Sequence, residues 1–171
     1  MPGDLTIPFP PGITPIPLYT GVTRESLYTT LQIYLQYYMG LSAIFRNTPN
    51  WSNQNVTDSP IGFIDQRSSI PIRPSVNLFP FYRDKNMFWA AVSQQTSDPS
   101  VPISTQLNNL RDSLDVALSS DQNAYGPKCT LAGRAIHCWV TDDAWAGSFT
   151  QGAWTGFRTI VEIEYLAKGD S

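Results

Sequence analysis

His137 is the chain's one histidine, and it falls between the only two cysteines, Cys129 and Cys138. Three such side chains could ligate zinc, and a Cys–His pair could form a nucleophile. On an extended strand, however, residues 137 and 138 point to opposite faces, and no fourth ligand stands at a workable spacing. His137 therefore reads as a structural residue sharing a face with Ala135 and Trp139. A disulfide between the cysteines requires the strand joining them to bend. The acids offer two pairs: Asp142-Asp143 at a predicted strand end, and Glu162 with Glu164 on one strand face. A glycosidase needs two carboxylates across a cleft, and adjacent acids at a strand end usually form a solvated turn. No phosphate-loop, dinucleotide, zinc-protease, nucleophile-elbow or EF-hand pattern is present. The sequence thus predicts no enzyme, no catalytic residue, no cofactor and no metal. Five tryptophans (Trp51, Trp89, Trp139, Trp145, Trp154) would suit a carbohydrate-binding module if they stood exposed as stacking platforms.

The residues that could carry these roles sit in a chain short of charge. Of 171 residues only 15% are charged, against about 25% in an average domain. The balance is 11 basic against 14 acidic residues, a formal charge of −3. Without Lys/Arg clusters, binding nucleic acid through phosphate neutralisation is disfavoured. No apolar run approaches the span of a bilayer. The opening MPGDLTIPFPPG lacks the basic and apolar regions of a secretion signal, so the sequons Asn50-Trp51-Ser52 and Asn55-Val56-Thr57 are read as chance matches. A surface of Thr, Asn, Gln, Ser and aromatics instead suggests a protein covered by neighbours.

Residues 1–22 form a separate segment with six of the 14 prolines and one charge, Asp4. Proline removes a backbone donor and fixes φ, which excludes helix and central strand. Its Ile7, Phe9, Ile13, Ile16, Leu18 and Tyr19 make it too apolar for a disordered linker. It is expected to be an extended arm lying across a surface, its own domain's or a neighbour's.

Residues 23–171 read as one α+β domain. Thr23 is a plausible N-cap, followed by a helical stripe of Leu27, Leu31, Leu35, Tyr38, Leu41 and Phe45, with Gly40 able to weaken or end it. Residues 47–60 form a polar loop. Strand-like alternation follows at Ile61 and Phe63, then at Ile70, Ile72, Val76, Leu78 and Phe81, with prolines at 71, 74 and 80 marking an edge or interruption. Residues 87–95 make a third strand. A second helix starts near Ser104, its presumed cap, with Leu107, Leu110, Leu114, Ala117 and Leu118 in one stripe. Strands over 129–141 and 154–166 complete the order, joined by an irregular Gly-containing connection. The expected fold is a mainly antiparallel five-stranded sheet with two helices packed on one face, plus the extended Pro-rich arm.

Several segments together resemble a family of tailed-phage proteins, the tail terminators or tail-completion proteins of the minor tail protein U type. The likeness rests on Leu107, Asn108, Leu110 and Leu114 in the second helix, Thr130-Leu131 with Gly133, and His137-Cys138-Trp139-Val140. Gly147 and Gly152 then lead into a final apolar strand, while Ser59–Gln66 and residues 72–78 match the position of the family's first strands. The arm and the 47–60 loop depart from that pattern. The resemblance implies a structural virion protein, assembled in the host cytoplasm, that forms a ring of six copies. It would cap the major tail tube protein, end tail polymerisation and meet the head–tail connector, with DNA only as cargo in the lumen and no membrane partner. Another neck or connector protein of the same virion is the alternative, and a carbohydrate-binding module a more distant one. The interface candidates are Ile7, Phe9, Ile13, Ile16, Leu18 and Tyr19 of the arm, Trp51 of the loop, Trp145 and Phe149 of the connection, and Glu162 and Glu164 of the last strand.

Overall fold

Both predicted helices form over their hydrophobic periods, the first of them between matching end signals. A computed structural model describes residues 7–73, 81–95, 98–119, 129–141 and 147–168. Val76, Leu78, Asp142, Asp143 and Trp145 lie outside those residues. The elements are α1 (Arg24–Met39), β1 (Ala43–Phe45), β2 (Ile61–Arg73), β3 (Phe81–Ser93), α2 (Ile103–Ala117), β4 (His137–Thr141), β5 (Gly147–Gln151) and β6 (Trp154–Leu166). At the start of α1, Thr23 accepts a hydrogen bond from the Ser26 N–H, 3.2 Å. Gly40 ends the helix in the left-handed region at φ 64°, so Leu41 and Phe45 fall beyond the helix that their spacing had suggested. In α2, Leu107, Leu110, Leu114 and Ala117 are buried. The expected cap Ser104 sits inside the first turn instead. Pro102 precedes the helix, and its carbonyl accepts from Thr105 and Gln106 without any side-chain cap.

Among the described residues, the five-stranded, mainly antiparallel sheet expected from the sequence is corrected to a mixed sheet of six strands. They run in the order β1-β2-β3-β6-β4, with β5 also on β6. β1 pairs parallel to β2, and the other pairings are antiparallel. Three local causes explain the difference. Once Gly40 releases the chain, Ser42 donates to Pro60 O at 2.8 Å and Ala43–Phe45 run alongside Ile61–Phe63. Residues 61–73 are one strand, because polar Asp65 to Ser69 pair across to β3 around a bulge between Gln66 and Ser68. The stretch read as an irregular connection contains β5, and Gly152 at φ 58° turns it back onto β6. β4 and β5 divide the outer edge of β6 between Ile160–Glu164 and Trp154–Arg158.

Period-two alternation sends side chains to two apolar layers. Phe88, Ala90, Phe157, Val161, Ile163 and Cys138 join the inner faces of both helices in one cluster. Phe63, Trp89, Ala91, Trp154 and Ile160 form a second cluster on the other face, roofed by Trp51 and Val56 of the 47–60 loop. The described part of the arm lies on its own domain. Ile7, Phe9, Ile13 and Ile16 pack against the helical cluster, and the Tyr38 hydroxyl donates to Pro8 O. The Ile16 N–H donates to Ala132 O at 2.8 Å, and Arg134 Nη1 donates to Thr14 O at 3.0 Å.

One polar network crosses the helical layer. Asp84, mid-strand on β3 and 1% exposed, accepts from the Tyr165 hydroxyl at 3.0 Å and from the Tyr28 hydroxyl at 2.8 Å. Arg24 Nε donates to Tyr165 at 2.9 Å, which brings a positive charge to the rim of this buried acid. Burial, reinforced by the charge of Asp84, pushes the Tyr28 phenol well above its ordinary value of 10.0, and burial also raises Tyr165. Above about pH 10 the unfolded tyrosines lose protons that the folded ones keep, so stability falls as pH rises. Urea midpoints are therefore expected to hold from pH 7 to pH 9 and drop beyond about pH 10, with a shallower drop in Tyr28→Phe. An equal drop in both proteins would exclude Tyr28 as a source.

Candidate interface surface

The arm, the far ends of β2 and β3 and the segment before β4 meet at one end of the sheet. Tyr19 is 62% exposed, Ile70 56% and Ile72 41%, a concentration of apolar surface that an isolated domain normally hides. Tyr19, Ile72, Phe81, Ile136 and Glu164 enclose a shallow depression of about 130 Å³. Tyr19 reaches it because its backbone adopts φ 63°, a left-handed conformation uncommon outside glycine. Ile70 stands opposite Arg83 in the β2–β3 ladder, next to this depression. Ile70, Ile72 and Phe81 had read as half-buried strand residues. Pro71 between the two isoleucines was the available sign that this end is an open edge.

Of the arm residues expected at an interface, Tyr19 joins this patch and Leu18 beside it is half-buried. Ile7, Phe9, Ile13 and Ile16 instead face the helical cluster of their own domain. Glu164 borders the patch, Glu162 lies two residues before it on β6, and both already have cationic partners within the chain. Glu162 is buried and lies 3.9 Å from Lys85 Nζ, while Glu164 accepts from Arg83 Nε at 3.1 Å. Arg83 in turn covers Trp139, whose ring stacks on His137 with centroids 4.6 Å apart. The one histidine thus belongs to a stack along β4 that Arg83 extends from β3.

Trp51 is far from this patch. Its ring sits 5.1 Å from Phe63, 5.0 Å from Phe149 and 5.8 Å from Trp154, and it anchors the loop to the sheet. A cleft of about 310 Å³ runs between this loop and the β5–β6 turn. Trp51 and Trp154 line it but expose 8% and 1% of their surfaces, which leaves no ring face for a sugar to stack on. Trp89 is likewise buried. A second cleft, of about 370 Å³, is lined by Arg24, Glu25, Tyr28, Arg46, Ile64, Asp65 and Gln66. Its charges are already engaged: Arg46 pairs with Glu25, Asp65 lies 3.3 Å from Arg67, and Arg24 bonds Tyr165. Among the described residues no three His, Cys, Asp or Glu side chains gather as metal ligands, and no helix is long and apolar enough to cross a membrane.

No family model matches the chain, and no curated protein matches it. Among solved structures it is similar to a chain described as the virion of a native gene transfer agent particle, at 9% identity and a TM-score of 0.43. That match covers 82% of this chain and 92% of the other, a likeness too distant to decide what the chain does.

Proposed function

We propose that the chain is a structural subunit of a tailed-phage virion. It closes into a ring of six copies on the last ring of the tail tube, ends tube growth and presents a surface to the head connector. The observation that carries this reading is the exposed apolar patch of Tyr19, Ile70 and Ile72 on a protein otherwise short of charge. Obligate interfaces are apolar and depleted in charge. A closed ring needs two different patches on each subunit. Tyr37 on α1 and Val116 on α2, 52% and 45% exposed, supply apolar surface on the helical layer, away from the sheet-end patch. A net charge of −3 with the patch acids paired in place suits a lumen that passes DNA without gripping it. The sequence motifs shared with tail terminators support the same reading, and the reading assigns the chain no reaction.

The test uses light scattering and electron imaging of the full chain, alone and mixed with purified tail tubes. The expected result is a ring, in solution or at tube ends. The double variant Ile70→Asp with Ile72→Asp should abolish it while shifting folding stability by no more than about 0.5 kcal/mol, since both side chains are exposed. A protein that stays monomeric under both conditions would sink the proposal. Rings that bind isolated connectors but ignore tube ends would favour a neck protein of the same virion.

A further inference from the structure

We infer that Cys129 and Cys138 are a dithiol pair that closes an intrachain disulfide across the turn on which the N-terminal arm is docked. Neither cysteine is in a disulfide and both residues are 0% exposed. They are direct partners in an antiparallel bridge, with the Cys138 N–H donating to Cys129 O at 2.9 Å. Residues so paired place their Cα atoms about 5.5 Å apart, inside the range of 4.4–6.8 Å that disulfides span.

An uninterrupted strand from 129 to 138 could never bring these residues together. The chain reverses instead through Leu131, Ala132 and Gly133, at φ 49°, 58° and 92°. Three successive left-handed residues, two of them with side chains, are costly and persist only when the surroundings hold them. Thr130 fastens the turn, its carbonyl accepting from Gly133 at 3.0 Å and from Ala135 at 2.8 Å. The arm is fastened to the same turn through Ile16 to Ala132 and Arg134 to Thr14. A bond between Cys129 and Cys138 therefore closes the base of the loop that carries the arm's dock.

The reaction is thiol–disulfide exchange with a small-molecule disulfide. One cysteine thiolate attacks the reagent, forming a mixed disulfide and expelling one reagent thiol. The second cysteine displaces the other reagent thiol and leaves the intrachain bond. Two S–H bonds are lost, one S–S bond forms, and the reagent disulfide is reduced to two thiols. Burial, with the neighbouring Cys129 adding to it, pushes the Cys138 thiol well above its ordinary range. In the closed fold the pair is thus slow to react, and oxidation proceeds through opening of the turn or during folding.

The experiment refolds the reduced full-length chain from denaturant in buffer containing oxidised and reduced glutathione. Thiols are then alkylated in denaturant, and the mass and peptide map are read. The expected product is a single covalent chain with no alkylated cysteine, lacking two hydrogens, with peptides 129 and 138 joined. Its Tm should rise by about 5 °C, because a short loop is closed in the unfolded chain. Cleavage after Tyr19 by a protease selective for aromatic residues should slow several-fold against the reduced protein. Two alkylated thiols, glutathione adducts on both, or intermolecular dimers would each overturn the pairing. A disulfide that forms but leaves arm cleavage unchanged would overturn the link to the arm's dock.

Discussion

Replacing Gly156 with alanine is expected to destabilise the protein by about 3 kcal/mol, lowering Tm by about 10 °C in thermal unfolding. Gly156 lies on β6 between Ala91 of β3 and Phe149 of β5. An added Cβ would stand 2.2 Å from Ala90 O, 2.7 Å from Ala91 Cβ and 2.8 Å from Ala91 Cα. Two of those three atoms are main chain of the adjacent strand, so relief requires β3 and β6 to separate where both apolar layers meet the sheet. Gly62 provides the comparison. Its Cβ would first meet Leu41 Cδ1 at 2.9 Å, the far end of a side chain that can rotate away. Gly62→Ala should therefore cost only about 1 kcal/mol. Equal stabilities for the two variants would show that β3 and β6 do not approach as closely as described.

Trp51→Ala is expected to cost about 4 kcal/mol, in the range for an aromatic side chain removed from a packed core. Trp51 lies in a 3₁₀ turn (Trp51–Asn53) inside a loop of polar residues, yet it is 8% exposed and touches three other aromatic rings. Without it the loop loses its main hold on the sheet. Phe63, Phe149 and Trp154 are then opened to water. Urea denaturation should show the loss of stability, and hydrogen exchange should quicken across residues 47–58. Trp51→Phe should recover about half of the effect, since much of the buried ring area remains. A tryptophan serving as a surface platform for sugar would behave in the opposite way. Its loss would shift stability by no more than about 0.5 kcal/mol and remove ligand binding instead.

The sequence was most legible where structure depends on residues a few positions apart. The stripe Leu107, Leu110, Leu114 and Ala117 is the buried face of α2, and the strand read over 154–166 is β6. Thr23 caps α1 as its position suggested. Errors arose where a short segment took its conformation from a distant partner. Ala43–Phe45 is too short to carry a strand pattern and becomes β1 by lying against Ile61–Phe63. Gly147–Gln151 has the composition of a loop and becomes β5 because β6 offers an unpaired edge. Gly40 ends α1 as its position suggested, whereas Pro71 lies within β2.

The interface candidates divide along the same line. An arm of prolines and hydrophobic residues can be recognised from composition, because proline restricts φ and the apolar side chains need cover. Which of them face inward is a matter of contact with residues more than 100 positions away, as when Ile16 bonds Ala132 and Arg134 bonds Thr14. Tyr19 alone of the named arm residues is left mostly exposed, beside Ile70 and Ile72. Cys129 and Cys138 illustrate the point most directly. As residues of one straight strand they could not meet, and three left-handed residues between them make them partners.

By itself the sequence determined the helices, the longest strand pairings' hydrophobic faces, the proline arm and the shortage of charge. These follow from spacing, backbone restriction and composition, which act locally or sum over the whole chain. The tertiary structure decided how the sheet is ordered, which acids are partnered and which hydrophobic residues remain outside. Asp84 is buried between Ser69 of β2 and Ile163 of β6, and its hydrogen-bond donors arrive from Tyr28 and Tyr165, 56 and 81 residues away. Burial of a carboxylate is tolerable only when such donors converge on it, and that convergence exists only once the chain has folded.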